Sequence, residues 1–284
     1  MQNIGRPHVF SFSKPICGPM LRCAMCVHPE QGATSMGELL LLIAAGFVSG
    51  MLNAVAGGGT FVSLPALIWT GVPPVSANAT ATLSALPGYA AGAWGFRHDI
   101  LQEGDLALRT ILLISGLGSI AGALLLIVTP GDAFLAIVPW LLLLATALFA
   151  GGPAILRAIR RRGVSAMGPA ISVGVVLAVS IYGGYFNGGL GIMLLAAFGL
   201  IGYTNLHAMN GLKNVLSALL SLVSSVAFVL ADMISWHEAG LLAASAALGG
   251  YVGARVSRGI RRLDLLRMFI TGVGTATTIA FFLR

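Results

Sequence analysis

Lys213 is the lysine or arginine set deepest inside an apolar stretch of this chain, and its polar neighbours are amides and hydroxyls. Asn210, Lys213, Asn214, Ser217, Ser221 and Ser224 recur at three- and four-residue spacings, which places them on one face of a helix. An ammonium in hydrocarbon is expensive, so such a residue is a functional candidate by default. The chemistry open to a cation flanked by carboxamides is to hold an anion along a polar path. The serines also fit a plainer role, hydrogen bonding between packed helices. A lysine close to the membrane surface could instead snorkel to lipid phosphates.

The second set of candidates is backbone. From Gly46 to Leu67 the sequence GFVSGMLNAVAGGGTFVSLPAL runs as an apolar helix into Gly57, Gly58 and Gly59, then resumes at Thr60. Three glycines mark a break, and inside a bilayer the freed N–H and C=O groups need cover from protein or a wet cavity. The restarted helix presents amide groups and a partial positive charge at its N-terminus, which suits an anion. A plainer reading is close packing, since Gly46 and Gly50 already form a G-x-x-x-G motif. A second copy favours the functional reading. Tyr182 to Phe198, YGGYFNGGLGIMLLAAF, carries Asn187, Gly189 and Gly191 in a like pattern. An offset of 132 residues registers Gly59 on Gly191 and Asn78 on Asn210. Paired glycine-interrupted segments in two halves point to a transporter's binding site. Around Asn78 the first half offers Thr80, Thr82 and Ser84 but no charge, so one half supplies the cation and both supply dipoles.

The elements that must position these groups are membrane helices. The 284 residues are 57% hydrophobic and 9% charged, with mean hydropathy +0.93, far from the soluble average. The apolar runs are Leu39 to Ala56 with Thr60 to Thr70, Val75 to Phe96, Leu106 to Val128 and Ala133 to Ile155. The second half gives Pro169 to Phe186 with Ile192 to Ile201, Leu206 to Leu230, Ala239 to Val256 and Leu263 to Leu283. Leu39 to Thr70 as one helix would measure about 48 Å, too long for an ordinary crossing. It is either a tilted broken helix or a re-entrant hairpin. Pro65 and Pro87 fit kinks.

Basic residues choose between these, because Lys and Arg collect on the cytoplasmic side. They form loop clusters at Arg97/Arg109, at Arg157 to Arg162 and at Arg255 to Arg267, while the connections near Asp132 and from Asp232 to Glu238 have none. Re-entrant segments leave three full crossings per half, invert the second half, and put all three clusters inside. The expected fold is therefore an all-α polytopic membrane protein of two homologous four-segment repeats, inverted, each opening with a glycine-broken or re-entrant helix. The repeats cover 37–165 and 166–284, after a tail, 1–36, expected to be disordered or non-native. The formal charge of +7 reports this topology rather than nucleic-acid binding.

Cys17, Cys23 and Cys26 sit in that tail beside His28, but a zinc module wants a second pair, so no metal site is expected. The tail also lacks the apolar core of a signal peptide. No carboxylate lies deep in a span, which disfavours a metal-ion or amine carrier. Neither H-E-x-x-H nor a rhomboid-like serine setting appears, so no catalytic residue is proposed and the chain reads as a non-enzyme. His98 and His237 read as loop groups, and His207 as the only histidine near Lys213.

AVAGGGTFVSLPAL from Ala54, VSANATATLSALPG from Val75, YGGYFNGGLGIMLLA from Tyr182 and LHAMNGLKNVLS from Leu206 resemble the TauE/SafE sulfite exporter family of bacterial membrane transporters. Trp236 and GGYVGAR from Gly249 resemble its closing part. The resemblance covers about Gly37 to Leu283. It implies a multi-pass protein of the bacterial inner membrane that carries small anions such as sulfite or sulfonates, without a cofactor and driven by a proton or other ion gradient. The second cluster, Gly188-Gly189-Leu190-Gly191, departs from an unbroken triplet, which puts a symmetric site in question. The expected substrate-binding residues are Gly57, Gly58, Gly59, Thr60, Asn78, Thr82, Asn187, Gly189, Gly191, Asn210, Lys213 and Asn214. The expected partners are a small anion and the lipid bilayer, with a homo-oligomer left open. A passive anion channel and a non-transporting assembly partner are the competing classes.

Overall fold

A computed structural model describes residues 35–55, 57–97, 106–161, 168–257 and 263–283. The cysteine-bearing tail and the side chain of His207 therefore lie outside the described residues. Met36–Arg284 forms one compact unit. Among the described residues all regular structure is helical: α1 Met36–Val55, α2 Thr60–Trp69, α3 Pro74–Gly95, α4 Leu108–Val128, α5 Gly131–Arg161, α6 Pro169–Tyr185, α7 Leu190–Leu200, α8 Leu206–Leu230, α9 Trp236–Ser257 and α10 Leu263–Phe282. Both expected breaks are present, between α1 and α2 and between α6 and α7.

Local sequence explains the ends. α3 and α6 start with proline in the first turn, where no intrahelical N–H partner is lost. α2 and α7 end alike: Val72 N donates to Leu67 O and Tyr203 N to Phe198 O, with Gly71 and Gly202 at positive φ. This is the Schellman arrangement, which needs a residue free to adopt the left-handed region. α5 runs on to Arg161, beyond the expected Ile155.

Small residues set the packing. Gly46 of α1 lies against Leu242 and Ser245, Gly50 against Ala246, and Met51 against Gly253, so α1 and α9 run parallel. On the other side of α9, Ser84 Oγ donates to Ala239 O at 3.3 Å, Gly88 meets Gly250, and Gly95 meets Ala254. α3 is thus parallel to α9 and to α1, and the intervening α2 carries the chain back. α4 and α6 are also parallel, with Gly118 against Ser180 and Gly122 against Ile181 and Gly184. α3 and α8 are antiparallel: Gly92 packs on Asn214 near the start of α8, while Thr80 Oγ1 accepts from Ser235 N just past its end. α5 and α10 cross as an antiparallel pair through Trp140 on Phe282 and Thr146 beside Gly274.

The distribution of side chains is that of a membrane protein. Serines, threonines and asparagines are buried at the centre, while Leu113, Leu117, Leu124 and Trp140 face outward on α4 and α5. In water that arrangement would waste apolar surface; in lipid it leaves only hydrocarbon outside. Met36–Val55, Leu108–Val128, Gly131–Gly152 and Ala208–Leu230 are each long and apolar enough to cross a bilayer. α3, rich in Ala, Gly, Ser and Thr, is buried along most of its length, whereas α9 packs on it through Ala and Gly and turns Leu248 and Tyr251 outward.

Candidate functional site

α1 stops because Gly57, at φ 82°, turns its amide back to Leu52 O at 2.9 Å. The chain then folds along α1, so that Gly59 rests on Ser49 with no room for a side chain. Asn53 Oδ1 accepts from Gly59 N at 2.7 Å and thereby caps the start of α2. Gly58 O accepts from Phe61 N and Gly59 O from Val62 N, tightening the first turn. Thr60 is buried there with its Oγ1 unpartnered, and so is Asn53 Nδ2.

The second break is built from other residues. Phe186 N donates to Tyr182 O, and Tyr182 Oη reaches over the turn to Gly188 O at 2.6 Å. Gly189, at φ 72°, stands against Ala145 of α5 and leads into α7. Asn187 is buried and doubly held: its Oδ1 accepts from Tyr89 Oη at 3.1 Å and its Nδ2 donates to Ser221 Oγ at 2.9 Å.

The two breaks meet. A methyl group added to Gly57 would overlap the Cα of Gly191 in the first turn of α7. This approach brings the N-terminal ends of α2 and α7 to one place, where both helix dipoles present their positive ends. α5 and α10 cover the junction, with Phe149 edge-on to Phe61 and Thr146 at Gly274.

Lys213 and its neighbours lie beside the first break. Lys213 is fully buried, and its Nζ donates to Val55 O at 3.4 Å, two residues before Gly57. Asn214 Nδ2 donates to Ala54 O at 3.5 Å and to Asn210 O at 3.0 Å. α8 thus supplies donors to the C-terminal carbonyls of α1, which have no partner within their own helix. On α3, Asn78 Nδ2 does the same for α6, donating to Tyr185 O at 2.9 Å, and Thr82 Oγ1 donates to Asn78 O at 2.8 Å. Asn78 Oδ1 and Asn214 Oδ1 are buried without partners. Lys213 does not snorkel.

The serine stripe divides. Ser221 holds Asn187, and Ser224 Oγ lies 2.8 Å from Ser119 Oγ, whose hydroxyl also faces Leu220 O at 2.9 Å. These two are interhelical fasteners, the plainer of the two roles. Ser217 is buried with its hydroxyl unpartnered. Gly57, Gly59, Thr60, Lys213 and Asn214 cluster at the first break, with Gly191 against it. Asn187, Gly189, Asn78 and, through its bond to Asn78, Thr82 belong to the second. Asn53, Tyr89 and Tyr182 are structural members that sequence reasoning missed. An asparagine one turn before a glycine run was the available signal for Asn53. A cavity of about 600 Å³ opens elsewhere, at the turn between α2 and α3, lined by Ile68, Val72, Pro74 and Phe281, and takes no part in this cluster.

Relatives share most of this chain. A protein of Haemophilus influenzae described as a probable membrane transporter is 31% identical over 222 residues, 77% of this chain and 84% of its own length. The probable membrane transporter ORF9 of a Sinorhizobium species is 28% identical, over 76% of this chain and 82% of its own. YfcA of Escherichia coli K12, likewise described as a probable membrane transporter, is 25% identical over 83% and 87%. The profile of the family described as sulfite exporter TauE/SafE matches residues 42–281 and so takes in both breaks, Lys213 and the helices that hold them; this multi-pass membrane protein belongs to that transporter family, not to an enzyme class.

Proposed function

We propose that this chain is a secondary carrier of small anions, sulfite or sulfonates among them, in the bacterial inner membrane. Its two halves are inverted copies, and the anion binds where the N-termini of α2 and α7 converge beside Lys213. The observation that carries this reading is the backbone contact of Gly57 with Gly191. It joins two positive helix ends, and the first offers two buried polar groups without partners, Asn53 Nδ2 and Thr60 Oγ1. Lys213 adds a full charge within two residues of the same turn. A sulfur oxyanion, with several acceptor oxygens and no donors when ionised, is the complement of such a donor-rich site.

Inversion is supported by helix direction. The offset that registers the glycine clusters pairs α3 with α8, and these run antiparallel. Packing also comes in mates: α1 on α9 answers α6 on α4, and α2 on α10 answers α7 on α5. Each half has three long helices after its broken segment, an odd number, so the second half enters from the opposite side.

Flux into proteoliposomes tests the function. With an imposed ion gradient, a coupled carrier accumulates sulfite above its external concentration, whereas a channel only equilibrates it. Thermal stabilisation by sulfite, thiosulfate, sulfonates and carboxylates ranks the substrates. For topology, single cysteines at Arg160 and Arg261 should label from the same membrane face; labelling from opposite faces would remove the inverted arrangement.

A further inference from the structure

Lys213 has a counterpart position that holds no charge, and a buried amide oxygen near that position, Asn78 Oδ1, has no donor. The 132-residue offset places Asn78, Ala81 and Thr82 of α3 on Asn210, Lys213 and Asn214 of α8. Thr82 Oγ1 bonding Asn78 O repeats the Asn214 Nδ2 bond to Asn210 O, one turn back along each helix. In the first half, α8 gives the C-terminal end of α1 an ammonium and an amide, at Val55 O and Ala54 O. In the second half, the same face of α3 meets the end of α6: Asn78 bonds Tyr185 O, and Tyr89, three turns on, bonds Asn187. Ala81 lies between those two contacts along α3, fully buried, where its mate is the lysine.

A helix C-terminus carries a partial negative charge, and a cation there is stabilising. At the end of α1 that cation is covalently supplied. At the end of α6, Asn78 Oδ1 has no donor, Tyr185 O and Asn187 Oδ1 each accept one hydrogen bond and keep a lone pair, and Thr82 Oγ1 has given its proton to Asn78 O. Asn78 is wholly buried and its Oδ1 has no hydrogen-bond donor; Asn214 Oδ1 is left in the same state at the end of α1, but there an ammonium stands one residue away on α8. Helix ends of this kind, with side-chain oxygens beside them, are where secondary carriers hold a coupling cation. The oxygens are neutral amide, hydroxyl and peptide groups. Such a set suits a monovalent alkali cation, whereas a divalent ion would want carboxylates.

We infer that the C-terminal end of α6, bounded by Asn78, Ala81, Thr82 and Asn187, is a binding site for a monovalent alkali cation, whose place at the end of α1 is taken by the Lys213 ammonium. The inference rests on the pairing of the two halves proposed above but not on the identity of the anion. It gives the molecule one fixed and one exchangeable positive charge, flanking the junction where the anion is proposed to bind.

The test needs no transported substrate. The purified full chain is heated in NaCl, KCl, LiCl or choline chloride at one ionic strength, so that chloride is constant. One alkali cation should raise the unfolding midpoint over choline in a saturable way. Asn78→Ala and Thr82→Val should each raise its half-saturation concentration by about tenfold, the worth of one lost ligand of about 1.4 kcal/mol. Ala81→Lys, which puts an ammonium where the cation would sit, should give a midpoint in choline at least that of the wild type in the favoured salt, with no further alkali response. Equal midpoints for the wild type in all four salts would overturn the site. So would an alkali response whose half-saturation is unmoved in Asn78→Ala and Thr82→Val, and those two variants decide the matter if Ala81→Lys does not fold. Loss of sulfite binding with the alkali response intact would instead count against the anion reading alone.

Discussion

The two helix breaks reach one backbone shape by different chemistry. Gly57 and Gly189 both sit at positive φ, and each break folds the chain back over the helix it has just left. At the first, Asn53 holds the new helix from within α1, and α8 brings a charge to the old one. At the second, Tyr182 closes the turn while Asn78, Tyr89 and Ser221, all neutral, hold the residues around it. Where two chain ends must pass at backbone distance, the glycines are constrained at both breaks. The polar groups around them are not, and there the two breaks differ: one is served by a cation and the other by neutral side chains.

The largest effect expected from disturbing this comparison is at the shared contact. Gly57→Val adds a β-branched side chain at positive φ, costing about 1–2 kcal/mol, and drives it into Gly191, costing a further 1–3 kcal/mol or so. The unfolding midpoint and transport should both fall sharply. Gly71→Ala is the control: its φ is 87° with nothing within 4 Å, so only the conformational cost applies and transport should survive. Equal losses in the two variants would mean that the meeting of the breaks matters no more than any tight turn.

Next in size is Lys213→Met, which separates charge from fold. An ammonium in the middle of a membrane helix costs about 2.5–3.5 kcal/mol on insertion, only partly offset by a helix C-terminus worth about 0.3–2 kcal/mol. Removing it should leave the unfolding midpoint unchanged or higher while abolishing anion transport. A clear drop in midpoint with transport retained would make Lys213 a strut for α1 rather than part of a site.

Much of this frame was legible in sequence, and the reasons are physical. Glycine runs inside apolar helices have few causes, so the breaks at Gly57 and Gly189 could be placed. The 132-residue offset that registers Gly59 on Gly191 also carries the first helix break to within two residues of the second. The partners of Asn187 could not be read. Tyr89 lies 98 residues away and Ser221 34 residues on, and only packing brings them together. Nor could the serines of α8 be sorted, since path and fastener use the same residue at the same spacing. Helix bounds fell within three residues of those read from sequence except at the end of α5, six residues on, where the apolar pattern stops before the helix does.

A smaller effect belongs to the caps, which differ between the breaks. Asn53→Ala leaves the buried Gly59 amide without its acceptor, at a cost of about 1–3 kcal/mol. Tyr182→Phe frees Gly188 O, which costs less, because a carbonyl tolerates loss of its donor better than an amide tolerates loss of its acceptor. The midpoint should therefore drop more for Asn53→Ala. At the level of transport, Asn78→Ala and Asn210→Ala should both raise the half-saturation concentration for the anion if the halves share it. An effect confined to one of them would assign the anion to one break.

The smallest expected difference sorts the stripe on α8. Ser224 is bonded to Ser119 across to α4, and hydrogen bonds between membrane helices average about 0.6 kcal/mol. Ser224→Ala should lower the midpoint by that order and leave transport kinetics alone. Ser217 has no partner to lose, so Ser217→Ala should not lower the midpoint, and burying a methyl group in place of an unpaired hydroxyl should raise it slightly. Ser217 lies one turn beyond Lys213 on the same face, which makes the kinetic readout the informative one. A slower turnover in Ser217→Ala with the midpoint intact would place the polar path along this face of α8. Unchanged kinetics in both variants would confine it to the first turns of α8 and the converging ends of α2 and α7.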